Sequence, residues 1–270
     1  MSQDKSVFAQ LHSFLDYQKF RRLVDKYQGN RYVKTFTCWN QLLVLMFGQL
    51  SNRVSLRDLI IAIGAHKSKS YHLGFGNSVT RSNLAKANQN RDYRIFEEYA
   101  YHLIEEAKSK RTDEVFKLGG SVYAFDSTTI DLCLSVFWWA KFRRNKGGVK
   151  VHTLYDVETQ IPTFVHITNA AVNNVNAMDE IPYQPDAYYI FDRGYNDFKR
   201  LHNIHCIGSY FVVVRAKSNL CLKTVKWKRQ MPQNIRSDSV GYLTGYASRK
   251  RYPAAESYFG TRINNGNLRF

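Results

Sequence analysis

The stretch Tyr188-Tyr189-Ile190-Phe191-Asp192-Arg193-Gly194-Tyr195 decides how this chain folds. Its first four residues are aromatic or β-branched and run into a turn signal, so they read as a buried strand. Asp192 then stands at the C-terminal end of that strand, where open α/β sheets present their chemistry. Val122-Tyr123-Ala124-Phe125-Asp126-Ser127-Thr128 repeats the design: an apolar strand delivers an aspartate into a polar turn. Two such strands in one sheet bring two carboxylates to one edge.

The neighbouring segments complete a sheet. Residues 121–127 form the first strand, announced by Gly119-Gly120, and 130–137 extend or flank it. Residues 138–148 read as a basic and aromatic loop containing Lys141, Arg143 and Arg144. Residues 149–155 and 161–168 read as a hairpin turned by Asp156-Val157-Glu158-Thr159-Gln160. A short polar helix is expected at 174–181, a helix at 196–204 with Phe198 and Leu201 inward, and a fifth strand at 209–216. Three strands, helix, strand, helix, strand is the order of a ribonuclease-H-like core, an α/β fold with a mixed sheet. In that fold the first and fourth strands lie side by side, and Asp126 and Asp192 fall on those two.

Upstream, the apolar period is helical. Residues 5–28 read as one amphipathic helix or a broken pair, 31–37 as a polar connector, and 39–50 as a strongly apolar helix. Residues 55–65 form another helix, with Ser55 and Asp58 resembling a capping box. Residues 66–80 are a loop, and 80–88 a short helix whose exposed face carries Arg81 and Lys86. Such a face suits a DNA groove or plain solvent equally. Residues 92–110 form a longer helix. The expected division is thus 1–115, an all-helical N-terminal domain, and 119–270, the sheet-bearing domain.

Charge narrows the partner. The 270 residues hold 39 Lys and Arg against 22 Asp and Glu, a net charge of +17. A surplus of that size calls for a polyanion. No apolar run approaches the roughly 20 residues that span a bilayer, and the N-terminus lacks a signal peptide's apolar core. A cytoplasmic, nucleoid-associated protein with DNA as its partner, and no membrane, is the expectation. Cys38, Cys133, Cys206 and Cys221 form no C-x-x-C pair, and reduced thiols suit that compartment. His202, His205 and Cys206 lack a second ligand pair at zinc spacing.

Two neighbouring aspartates repel unless cations lie between them, and hard oxygen ligands suit Mg2+ or Mn2+. Two such ions about 4 Å apart activate an attacking oxygen and stabilise a leaving one at phosphorus. Asp126 and Asp192 are therefore candidate catalytic and metal-binding residues. Lys150 and His152 share one face of their strand, and with Lys141, Arg143, Arg144, Arg193, Arg81 and Lys86 they make up the candidate DNA contacts. For each of these a surface or core role competes.

At Phe125-Asp126-Ser127-Thr128, at Gly147-Gly148-Val149-Lys150-Val151-His152-Thr153-Leu154-Tyr155-Asp156 and at Asp192-Arg193-Gly194-Tyr195 the chain resembles the DDE transposases of bacterial insertion sequences, the IS-four group. The Phe8-Ala9-Gln10-Leu11 opening is similar to that group's helical accessory region. The resemblance covers residues 1 to about 250. It implies magnesium-dependent cutting and rejoining of element ends, with Asp126 and Asp192 as the first two metal-binding carboxylates. It also implies a helical N-terminal part on the terminal repeats, and a homodimer in a synaptic complex that also engages target DNA.

One departure stands out. The group's third carboxylate is a glutamate on a late helix, within a tyrosine, arginine, glutamate and lysine array that this sequence lacks. After Asp197 the acids are Asp238 and Glu256, and neither sits in that array. From Val213 to Phe270 twelve Lys or Arg face those two acids, and beyond Pro253 no apolar period can be placed in a core. The expectation is a ribonuclease-H-like sheet left incomplete by truncation or frameshift before the glutamate, giving weak cleavage or none. A non-catalytic DNA-binding repressor and a related nuclease are the alternatives.

Overall fold

The computed structural model describes residues 7–65, 73–75, 79–110, 120–132, 140–143, 146–213, 221–227, 230, 237–245, 259–264 and 267–269. It separates into two units, Met1–Glu106 and Ala107–Phe270.

The described elements of the first unit are helices: α1 (Val7–His12), α2 (Tyr17–Lys26), α3 (Cys38–Leu50), α4 (Leu56–Ala65), α5 (Arg81–Asn90) and α6 (Arg94–Ser109). Residues 5–28 resolve into a broken pair because Asp16 caps α2, accepting from the Lys19 amide at 3.0 Å. Thr37 and Asn40 form a reciprocal capping box on α3, and the Asp58 amide reaches Ser55 Oγ at 3.1 Å. Apolar side chains at helical spacing then make two cores. One gathers Phe8, Leu43, Leu59, Phe75 and Leu84; the other gathers Phe20, Val24, Ile95 and Tyr99.

The second unit is built on a six-stranded sheet of β1 (Val122–Leu132), β2 (Lys141–Arg143), β3 (Lys146–Asp156), β4 (Ile161–Asn169), β5 (Tyr188–Phe191) and β6 (Tyr210–Val213). The central order is β4-β3-β1-β5-β6. The β1–β3 and β3–β4 pairs are antiparallel. The β1–β5 and β5–β6 pairs are parallel. The turn after β3 is fixed by Asp156, whose Oδ1 accepts from the Glu158 and Thr159 amides. Gly120 must be glycine, because a Cβ there would lie 2.0 Å from the Asp186 carbonyl oxygen.

Cross-strand aromatic pairs weld the parallel strands together. Tyr123 stacks on Tyr189 at 5.4 Å, and Phe125 meets Phe191 edge-on at 6.2 Å. Against them pack Met178 of a 3₁₀ helix (Asn174–Glu180) and Leu201 and Ile204 of α7 (Phe198–Cys206). Asp197 caps α7, and Arg200 ties it to Asp179 of the 3₁₀ helix through contacts of 2.8 and 2.5 Å.

Two expectations need correction. Residues 141–143 are not loop: they add to β3 as a short antiparallel strand, with Arg143 opposite Lys146, because the unpaired start of β3 offers its backbone groups. Nor is the stretch beyond Pro253 without structure: it adds two strands to those that the sequence allows at 222–228 and 240–246. β7 (Leu222–Trp227), β8 (Ser237–Leu243), β9 (Phe259–Asn264) and β10 (Asn267–Arg269) form an antiparallel sheet in the order β10-β9-β8-β7. Backbone pairing of this kind needs no apolar period. No helix among the described residues is long and apolar enough to cross a membrane.

Candidate active site

The parallel pairing of β1 and β5 runs Val122–Tyr188, Tyr123–Tyr189, Ala124–Ile190, Phe125–Phe191. The next residue on each strand is an aspartate, Asp126 and Asp192. Paired strands lie about 5 Å apart across the sheet, so the residues that follow the last pair, Asp126 and Asp192, leave it as neighbours. β5 ends there, while β1 continues beside β3 to Leu132. The edge beyond Phe191 is therefore open on one side of β1, and both aspartates are exposed.

Local backbone geometry holds each carboxylate. Asp126 Oδ1 accepts from the Ser127 amide at 2.7 Å. Asp192 caps a 3₁₀ turn (Arg193–Tyr195), its Oδ1 accepting from the Gly194 amide at 2.7 Å. A Cβ on residue 194 would come within 2.8 Å of that oxygen, which explains the glycine. The Oδ2 atom of each aspartate accepts no hydrogen bond among the described residues.

Two buried polar side chains pack on Phe125, the residue before Asp126. Tyr195 is fully buried, with its ring edge-on to Phe125 at 5.2 Å. Its hydroxyl has no hydrogen bond of proper geometry. Burial pushes that hydroxyl up to about 12; nearby Ser127 opposes the shift, and the charges of Asp126 and Asp192 add to it. His152 stacks on Phe125 and bonds Thr168 Oγ1 at 2.9 Å through Nε2, while its Nδ1 is buried and unpartnered. Burial lowers its pKa, helped by His166 and Lys150 and opposed by Asp126.

The other expected contacts are dispersed. His152 is wholly buried and so cannot meet a phosphate as it stands; strand alternation pointed it inward among aromatic neighbours. Lys150 is half-buried, its Nζ donating to the Val172 carbonyl at 2.6 Å. Lys141 and Arg193 are exposed in the same unit as the pair. Arg81 and Lys86 are exposed on α5, in the other unit. Arg144, the Arg143 side chain and Glu256 lie outside the described residues, and Asp238 falls on β8, opposite Arg262. Among the described residues no group of three or more His, Cys, Asp or Glu is placed to hold a metal ion. Tyr195 is the member of the site that its sequence position did not reveal. An aromatic after a glycine turn reads as packing, and only the fold seats its ring on Phe125 and Phe191, the residues before the two acids.

Residues 117–252 match the family described as Transposase DDE domain, and residues 3–76 match a domain of unknown function, DUF4372. The protein named transposase y4zB of Sinorhizobium fredii is 32% identical over 146 residues, 54% of this chain and 40% of that protein. A transposase named for insertion sequence element IS4SA of Synechocystis sp. is 25% identical over 152 residues, 55% of this chain and 43% of that protein. The matches thus span about two-fifths of the length of these relatives. A piggyBac transposase synaptic complex with hairpin DNA, solved by cryo-EM, covers 72% of this chain and 42% of its own. Its identity is 12% and its TM-score 0.36. The DDE domain match takes in just over half of the chain and contains both strand-end aspartates, so this chain belongs to the DDE transposases of insertion sequences, of the IS4-like type.

Proposed function

We propose that the chain acts in DNA transposition, holding divalent metal at Asp126 and Asp192 to cut and join phosphodiester bonds at element ends. The observation that carries this reading is the β1–β5 register, which makes two aspartates neighbours at an open sheet edge. Three antiparallel strands followed by two parallel ones, in the order β4-β3-β1-β5-β6, support a ribonuclease-H-like reading of the core. The donor set fits Mg2+ or Mn2+: hard carboxylate oxygens, each residue with Oδ2 unengaged, beside a buried phenol that lacks a partner. Such a cation supplies charge stabilisation at phosphorus and acidifies bound water.

The protein's own residues do the positioning. The Ser127 and Gly194 amides fix the inner oxygen of each carboxylate, leaving the outer ones to face substrate. The buried rings of Tyr195 and Phe125 pack edge-on behind the strand ends that carry them. Exposed Arg193 and Lys141 offer positive charge to the DNA backbone. The helical unit, with its exposed α5 cations, engages the terminal repeats, and two copies pair the ends. A second reading, DNA occupancy without chemistry, draws on the donor set of two carboxylates rather than three among the described residues.

Duplexes carrying the terminal repeats, incubated with the full chain and Mg2+, provide the test. Cleavage or joining that disappears in Asp192→Asn and Asp126→Asn supports the enzyme. Binding without cleavage in all three proteins selects the second reading. Cleavage that survives both substitutions removes the aspartates from the mechanism.

A further inference from the structure

A second basic site lies within the helical unit. The loop between α2 and α3 and the C-terminal half of α5 enclose a cleft of about 620 Å3, lined among others by Arg31, Tyr32, Lys34, Lys86, Asn90 and Arg91. The loop is built to hold its shape. The Gly29 amide bonds the Val24 carbonyl at 2.9 Å, and Asn30 Oδ1 accepts from the Cys38 amide at 2.8 Å. A Cβ on Gly29 would strike Ile95 at 2.5 Å and Cys38 at 2.8 Å. Gln28 and Tyr32 both adopt positive φ, 51° and 59°, a conformation that costs a non-glycine side chain energy and clusters at ligand-binding loops. The result is a Tyr32 ring that is 88% exposed, with the Arg31 guanidinium 5.0 Å from its centroid.

The charges of this region do not cancel. Asp92 is held by Arg94 through contacts of 3.0, 3.1 and 2.5 Å. Glu98, beyond the cleft, is held by Lys26 at 2.8 Å and by Tyr27. Arg91 is half-buried yet donates only to neutral acceptors: Thr37 O at 2.9 Å, Gln41 Oε1 at 2.7 Å and Phe36 O. Arg31 donates to Gln28 and Tyr32. No carboxylate among the described residues forms an ion pair with Arg31, Lys34, Lys86 or Arg91. Among the described residues, four cations therefore line one cleft with a single acid that is already paired.

We propose that this cleft binds the phosphodiester backbone of nucleic acid, with Lys34, Lys86 and Arg31 on phosphates and the Tyr32 ring stacked on a base or sugar. Arg91 is the buried charge that sets the sign of the cleft, and Gln41 fixes its orientation. The exposed ring decides between polyanions: an acidic peptide needs the cations alone, whereas nucleotides also present flat faces. The proposal rests on the DNA-acting reading above, but it concerns binding and can fail separately.

Fluorescence anisotropy tests it, using the full chain, a labelled duplex and a labelled single strand, titrated across a series of potassium chloride concentrations. Lys34→Ala with Lys86→Ala is expected to flatten the log-affinity against log-salt slope for duplex by about 1.8, since each lost phosphate contact removes about 0.9. Tyr32→Ala is expected to weaken single-strand binding about fivefold or more and to leave the slope unchanged. Lys34→Arg with Lys86→Arg must keep the original slope, which separates charge from fold. If the alanine pair binds with wild-type slope, the cleft is not the site, although the DNA reading stands. Wild-type protein that binds neither probe removes both proposals. Polyglutamate that displaces the probe as well as unlabelled DNA of equal charge overturns nucleic acid as the partner.

Discussion

At the scale of single residues, the site rests on three side chains with different burdens. Asp126 and Asp192 are exposed and held only by neighbouring amides, so Asp→Asn at either is expected to leave the melting temperature nearly unchanged while Mn2+ binding, followed by electron paramagnetic resonance, falls sharply. Tyr195 is the reverse case. A buried hydroxyl without a partner costs about 1–3 kcal/mol, so Tyr195→Phe should keep or slightly raise thermal stability and yet weaken Mn2+ binding. Unchanged metal affinity in that variant would leave the phenol a packing role only. His152 governs a pH effect. Its folded pKa is depressed below 6.5, chiefly by burial. The unfolded chain therefore takes up the proton first as pH falls, and stability drops below about pH 6.5 towards the folded value. Melting curves from about pH 8 to about pH 5 should show this loss, and His152→Gln should shrink it.

At the scale of elements, the site depends on where two strands stop relative to each other. Gly120 admits the Asp186 carbonyl at the start of β1 and so helps to fix the β1–β5 register. Gly120→Ala should destabilise the second unit by more than about 3 kcal/mol, because backbone rather than a flexible side chain would have to move. Denaturant melts of that variant check the figure. Much of this level was legible in the sequence. The strands around Asp126 and Asp192 announce themselves by apolar runs ending in turn chemistry, and Ser55 marks a helix start by capping, whereas the caps at Asp16 and Thr37 emerge only in the structure. β2, β9 and β10 were not legible, since edge pairing is made by backbone groups and leaves little trace in side-chain pattern. The connector 31–37 looked merely polar; its role as a cleft wall comes from positive φ at Gln28 and Tyr32, which residue type does not announce.

At the scale of the whole molecule, charge and division into units matter most. The net charge of +17 is spread over both units, with the cleft cations in one and the strand-end aspartates in the other. The two helical cores of the first unit are built from its own residues. Residues 1–110 expressed alone are therefore expected to fold, giving a helical circular dichroism spectrum and a cooperative melt. A non-cooperative melt would show that the first unit needs the second.

By itself the sequence determined the chemistry available: two aspartates at strand ends, a large basic surplus, and helices followed by strands. It could do so because apolar period, capping and turn residues act over a few positions, within reach of a linear reading. The tertiary structure alone decided which groups meet. That Phe125 pairs with Phe191, that Tyr195 packs on Phe125, that His152 is sealed in the core, and that Lys34 and Lys86 line one cleft all depend on contacts between distant segments. Those contacts are fixed by register and packing, which no single stretch of chain encodes.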